Sequence, residues 1–332
     1  MSVPNTHAGV AGRESSAIKL EGFNVSLTAP DPYTVATVRI PLVDKNLLTA
    51  RGFIREYKSW MADLQEVWSE KVADRVSADP RYFKRIKPVD IAKIIHVGRG
   101  DRSKIFLEVI YIPKPLLHIP EIAKGMVYSW LWKNALVIPN RPQSFYILSK
   151  TKLQEFAKVK KVSDDLIEEA NGVLEDFRQE TIEDFKRILE KYHLPTDIKV
   201  NKKFHPIYVL ITPIELTPSL INRYGDPTIR SMLKQSLESY VQKIAEGIIM
   251  KLTPIMDSVI KAKSIRPSVA TQRIEEVEKT LKEFGLDVMF QSILEDVKQA
   301  VKNPIAYRMQ KQYKDVKDWA VNVGRMVSMG WE

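Results

Sequence analysis

The chain has 332 residues, 44% of them hydrophobic, and a formal net charge of +10 at neutral pH. That much apolar content fills a packed core and excludes disorder throughout, and the length suits one large domain or two ordinary ones. No cysteine occurs, which excludes disulfides, thiolate zinc sites, iron–sulfur clusters and a cysteine nucleophile.

Lys, Arg and Glu are plentiful while Asn and Gln are sparse, a thermophile-like composition. The positive charge is concentrated. Residues 81–161 carry 17 Lys/Arg against 5 Asp/Glu, whereas residues 1–80 and 162–332 each sum to −1. A localised field of this sign attracts polyanions such as nucleic acid or an anionic membrane face, where the bland reading is a solubilising surface. The start, MSVPNTHAGVAGRESS, has no apolar leader. The longest apolar stretch, 125–139, is broken by Lys133 and Asn134 and falls short of the roughly 20 residues that span a bilayer. A cytoplasmic or virion-associated protein without membrane insertion is expected.

Residues 1–30 are polar and read as an arm. Residues 33–43 are β-branched and predict a strand. From Arg51 to Val76 the period turns helical, with Ile54, Tyr57, Trp60, Met61, Leu64, Val67, Trp68 and Val72 making one apolar face. Two β-branched runs, 91–97 and 105–112, flank Gly98-Arg99-Gly100-Asp101-Arg102-Ser103-Lys104 and predict a hairpin. Residues 126–138 fit helix or strand alike, and 144–148 read as a short strand. Ser163 before Asp164 and Asp165 signals a helix start, since side-chain oxygens satisfy free N–H groups there. That helix is expected to run to about Tyr192. A strand is expected over 205–214. Asp226-Pro227 then opens a long helix that Pro254 should kink or end. Two helices follow, near 268–284 and 287–301, separated by Gly285, and a last one starts at Asn303-Pro304. The expected division is an arm over 1–30, a basic α+β region over 31–150 and a mainly helical domain over 151–332. The fold class is α+β and predominantly helical, a small basic β-containing region followed by a long-helix domain.

The Gly98–Lys104 loop is the sharpest candidate for function. Arg99, Arg102 and Lys104 crowd one turn, and two glycines let the backbone approach an anion. The spacing is not that of a phosphate-binding Walker loop. Arg81, Lys84, Arg85 and Lys87 interleave with Tyr82 and Phe83, as in single-strand binders, but the segment fits an exposed linker with Phe83 and Ile86 anchored in the core better. Lys158, Lys160 and Lys161 extend the field. The aromatic group Tyr128, Trp130, Trp132 fits a stacking platform but fits core better. The acidic residues from Glu168 to Asp184 spread round a helix and read as a solvated face rather than a magnesium site. Asp90 and Glu108 stand where a metal-dependent nuclease carries acids, yet the following acid-x-Lys lacks its lysine. The five histidines make no zinc pattern. No catalytic residue, metal or cofactor is expected.

The C-terminal segment repeats apolar residues from Ile305 to Val327 at spacings of three and four beside a basic stripe. It closes on Met326, Val327, Met329 and Trp331, which are expected to be buried, preferably against another subunit.

Residues 134–301 resemble a family of uncharacterised phage and mobile-element proteins. There a short strand, here Ser144–Leu148, precedes a long helix punctuated by Leu and Phe, here Leu153, Phe156, Phe177 and Phe185. Genes of that family often lie beside one for a MoxR-type AAA ATPase. The resemblance implies a viral or mobile-element setting and an AAA ATPase as partner, and transfers no functional residue. The expected function is a non-enzymatic nucleic-acid-binding protein that holds phosphates through 81–161 and forms a homo-oligomer through its C-terminal helices. The alternative is a structural or assembly protein that meets an acidic protein partner.

Overall fold

The structure is a computed structural model and describes residues 20–42, 47–79, 91–140, 144–198, 202–260 and 266–309. The chain forms two compact units. The first comprises Met1–Ser26, Trp132–Leu153 and Ile211–Glu332, and the second Leu27–Leu131 and Gln154–Leu210. Each gathers separate stretches of chain, so these units do not follow the chain-order division into 1–30, 31–150 and 151–332. The α+β, predominantly helical class is what the described residues show, with two antiparallel sheets among long helices.

In the second unit a one-turn helix α1 (Tyr33–Ala36) leads into β2 (Thr37–Leu42), which pairs with β4 (Lys104–Ile110). β3 (Ala92–Val97) pairs with the other side of β4, so the order is β2-β4-β3. Helix α2 (Leu47–Arg75) buries Phe53, Tyr57, Met61, Leu64, Trp68 and Val72 at spacings of three and four, the stripe that a 3.6-residue period puts on one face. Helix α4 (Lys150–Lys191) supplies Ile167, Ala170, Leu174, Phe177 and Phe185 to the same core. Rings interlock there: Phe185 stacks on Trp60 at 5.3 Å and Phe177 meets Trp68 edge-on at 5.2 Å. Such pairs contribute about 0.5–1.5 kcal/mol beyond the area they bury. Two buried hydroxyls tie core to sheet. Tyr57 donates to the Ile110 carbonyl at 2.8 Å, and Tyr111 to that of Val35 at 3.1 Å. Burial pushes the Tyr111 phenol up to about 12.

The first unit is built on a sheet of order β5-β6-β1-β7, from β1 (Leu20–Thr28), β5 (Leu136–Ile138), β6 (Phe145–Leu148) and β7 (Tyr208–Leu216). Helices α6 (Pro227–Ile260), α7 (Pro267–Glu283) and α8 (Asp287–Lys302) complete its core through Val241, Ile244, Ile248, Leu281, Phe290 and Val297. Helix α6 lies tight on β5: a Cβ at Gly247 would fall 1.9 Å from the Val137 carbonyl oxygen, which only glycine allows. Helix α3 (Lys114–Asn134), α5 (Pro218–Arg223) and α9 (Pro304–Met309) complete the elements. Among the described residues no helix is long and apolar enough to cross a membrane.

Several elements differ from expectation for identifiable reasons. Leu20–Thr28 is a strand, not part of an arm, because Leu20, Val25 and Leu27 are buried partners of the sheet. The long helix begins at Lys150 rather than Ser163. Ser163 is fully buried inside it and donates to the Ala123 carbonyl at 3.2 Å instead of capping. Residues 126–138 resolve into the end of α3 followed by β5. Pro254 does not end α6, which continues to Ile260. Asp226 does cap that helix, its Oδ1 accepting from Thr228 N at 2.7 Å and Ile229 N at 3.3 Å.

Candidate nucleic-acid interface

The predicted hairpin forms, and its register decides what it displays. β3 and β4 pair Lys93 with Glu108, Ile95 with Phe106 and Val97 with Lys104. At the tip Gly98 has φ +101° and Gly100 φ +58°, followed by a 3₁₀ turn over Gly100–Arg102. A Cβ at Gly98 would lie 2.7 Å from the Arg102 carbonyl oxygen, so the turn is closed to other residues. Arg99, Arg102 and Lys104 are exposed around it. No carboxylate among the described side chains, which leave out that of Asp101, pairs with any of the three.

Side chains alternate along a strand. Val38, Ile40, Leu42, Leu107 and Val109 therefore go to the core, while Arg39, Pro41, Lys93, Ile95, Val97, Lys104, Phe106 and Glu108 share the opposite face. Phe106 and Ile95 are half-buried and Val97 is 45% exposed, leaving a small apolar ridge beside Lys104. Glu108 stands in the middle strand. It accepts from Arg39 Nε at 2.8 Å and lies 3.2 Å from Lys93 Nζ. The Arg39 hydrogen bond holds its carboxyl below the usual carboxylate range against the pull of burial. Glu108 is thus committed to two cations of its own sheet and is no free metal ligand. Asp90, its supposed companion, lies outside the described residues.

The remaining predicted cations divide. Lys158 and Lys161 are exposed three residues apart on α4, a spacing that puts them on one face. Lys160 is bound to Asp164 at 2.5 Å. Arg81, Lys84, Arg85 and Lys87 lie outside the described residues, as do Met326, Val327, Met329 and Trp331. The acidic face of α4 is an ion-pair face: Asp176 meets Arg75, Glu180 meets Lys71, and Glu169 accepts from Ser77 N at 2.8 Å. Trp130 packs on Phe156 at 5.7 Å and is half-buried, as is Tyr128, whereas Trp132 is exposed, so the three do not form a single core cluster.

One cluster escaped the sequence reading. Glu121 receives Lys114 Nζ at 2.8 Å and His118 Nδ1 at 2.9 Å. Burial draws the Lys114 ammonium down, but its bonds to Glu121 and Tyr33 outweigh that and leave it raised. The signal was there, since positions 114, 118 and 121 share one helix face. The neighbouring cleft also holds Ser129, but eleven residues separate it from His118. At 1.5 Å per residue that is about 16 Å along the helix, too far for His118 to activate its hydroxyl. The trio reads as a helix-surface ion pair.

No family model, curated protein or solved structure matches the chain, so function has to be argued from these side chains.

Proposed function

We propose that the protein is a nucleic-acid-binding protein that holds phosphates at the tip and outer face of its β3–β4 hairpin, binding rather than catalysing. The observation that carries this reading is the trio Arg99, Arg102 and Lys104, exposed on a turn built on two positive-φ glycines and paired with no carboxylate among the described side chains. An exposed cation already bound to a carboxylate releases little on meeting a phosphate; an unpaired one displaces counterions and gains their entropy. The half-buried Phe106 ring beside the trio offers a face of the kind that bases stack on, with Ile95 and Val97 as aliphatic neighbours. Self-association through Met326, Val327, Met329 and Trp331 extends the proposal.

The test is fluorescence anisotropy of labelled oligonucleotides over a salt series. The wild type is expected to bind with a log–log slope of about −0.7 per phosphate on single strands or −0.9 on duplex. The triple substitution Arg99→Glu, Arg102→Glu, Lys104→Glu should flatten that slope by about two to three and weaken all sequences alike. An unchanged slope, or no binding at low salt, overturns the proposal. Capture of an acidic protein in the same conditions would then favour the assembly role.

A further inference from the structure

The solvent side of the three-stranded sheet breaks the alternation that such a sheet follows. An antiparallel sheet with one face on the core runs apolar inward and polar outward. The inward side conforms, with Ile40, Leu107 and Ile94 in line across the three strands. On the outward side the register sets up three rows. Arg39, Glu108 and Lys93 form the first, Pro41, Phe106 and Ile95 the second, and Lys104 with Val97 the third. The middle row is apolar on every strand although it faces solvent, and Pro41 is exposed while Phe106 and Ile95 are half-buried. No ring among the described residues meets that of Phe106. Successive rows lie two residues apart along a strand, about 7 Å.

Cations flank this row on both sides. Glu108 is one carboxylate shared between Arg39 and Lys93, so the first row keeps a net positive charge. Lys104 brings a further exposed cation from the turn side.

The width of the sheet decides between one nucleic-acid strand and two. A two-stranded ribbon fits the major groove of a duplex, which is about 12 Å wide. Here β2 pairs with β4 as far as Leu42 opposite Ile105, the residue next to Lys104. The third strand therefore reaches the base of the turn. Three strands at about 4.8 Å spacing hold their outer backbones about 10 Å apart before atomic radii and side chains are added, too broad to enter that groove. A duplex could meet only the turn, with its bases stacked away from Phe106. A single strand can lie on the sheet and turn a base onto the ring.

We propose that the hairpin site takes single-stranded nucleic acid, with a base stacked on Phe106 between Pro41 and Ile95. Its phosphates meet Lys104 on one side of the ring and Arg39 and Lys93 on the other. This rests on the reading of the hairpin as a phosphate-binding site and narrows that reading to one class of ligand.

The test is anisotropy on the full chain with labelled oligothymidylate and with the same strand annealed to its adenine complement. At equal salt the wild type should bind the single strand at least about tenfold more tightly than the duplex. Phe106→Leu keeps an apolar side chain in the row. It should weaken the single strand about five- to tenfold, the loss of one stacked base, and leave the duplex unchanged. The salt slope should stay as it was, since a ring displaces no counterion. Phe106→Trp should bind the single strand at least as tightly as the wild type. Equal affinity for the two forms, or a Phe106→Leu protein that binds the single strand as the wild type does, overturns the inference. So does a Phe106→Leu protein that loses both forms alike, which would leave the ring a role in the sheet only. In each of these cases a slope that still flattens on reversal of Arg99, Arg102 and Lys104 leaves phosphate binding standing. No binding of either form at low salt overturns both.

Discussion

Arg39 and Glu108 face each other across the β2–β4 ladder, with Nε 2.8 Å from Oε2 on the solvent side of the sheet. The bond gives Glu108 a carboxyl pKa below its ordinary value. A carboxylate with a lowered folded pKa stabilises above its unfolded pKa and loses that contribution as pH falls through the folded value. Glu108→Gln should remove this acid-side component, costing about 1 kcal/mol or less at pH 7 because Arg39 and Lys93 are solvent-exposed. It should also free both cations, so affinity for nucleic acid should rise and the salt slope steepen. Melting curves across pH and anisotropy across salt measure the two effects. A fall in affinity would mean that the ion pair itself shapes the interface.

Gly98→Ala tests whether the turn is what presents the cations. Its φ of +101° disfavours any Cβ, and the nearest carbonyl oxygen would be 2.7 Å away. A cost on the order of 1–3 kcal/mol is expected at this position, visible as a lower Tm together with weaker oligonucleotide binding. Gly100→Ala, where no atom lies within 4 Å of the added methyl, should be milder.

Lys251 is a buried cation of the first unit. It is 7% exposed, and its Nζ donates to the Ala135 carbonyl at 2.8 Å. Burial lowers its pKa to about 8 from 10.5. Between those values the unfolded chain holds more protons than the folded one, so stability should rise as pH climbs from about 8 to 10.5. Lys251→Met should abolish that rise. It should also stabilise the protein near neutral pH by about 1–2 kcal/mol, the relief of desolvation less the lost hydrogen bond. Denaturant titrations at pH 7 and pH 10 give both quantities; a pH-independent wild type would place the lysine in water.

Deletion of residues 325–332 addresses the apolar end, Met326, Val327, Met329 and Trp331. If these side chains hold subunits together, light scattering should report a smaller mass for the truncated protein. An unchanged mass with a lower Tm would place them in their own chain's core.

The hairpin, the two helices on either side of Gly285 and the Asp226 cap were legible because each is a local matter: a turn that needs positive φ, a periodic stripe, an oxygen beside free N–H groups. Ser163 misled because Ser-Asp-Asp caps a helix only where the preceding residues leave the helical conformation, and the apolar positions of α4 keep their period back to Lys150. Strand β1 was missed because its pairing partners lie more than a hundred residues away. Glu108 could be suspected of chemistry from sequence, but its commitment to Arg39 and Lys93 depends on strand register. The apolar row through Phe106 was invisible, since only the register reveals which residues share it.

The interleaving of the two units has a consequence for synthesis. Everything the second unit needs has left the ribosome soon after Leu210. The first unit has by then produced β1, β5 and β6, yet their cover, from α6 to α8, ends at Lys302. At about 5–20 residues per second the gap is on the order of ten seconds. Through that interval a nascent chain holds finished strands with an uncovered apolar side, the species on which a chaperone acts. Vectorial translation should therefore favour early protection of residues 27–131 and 154–210 in pulse-labelled exchange, with 20–26 and 136–148 protected last.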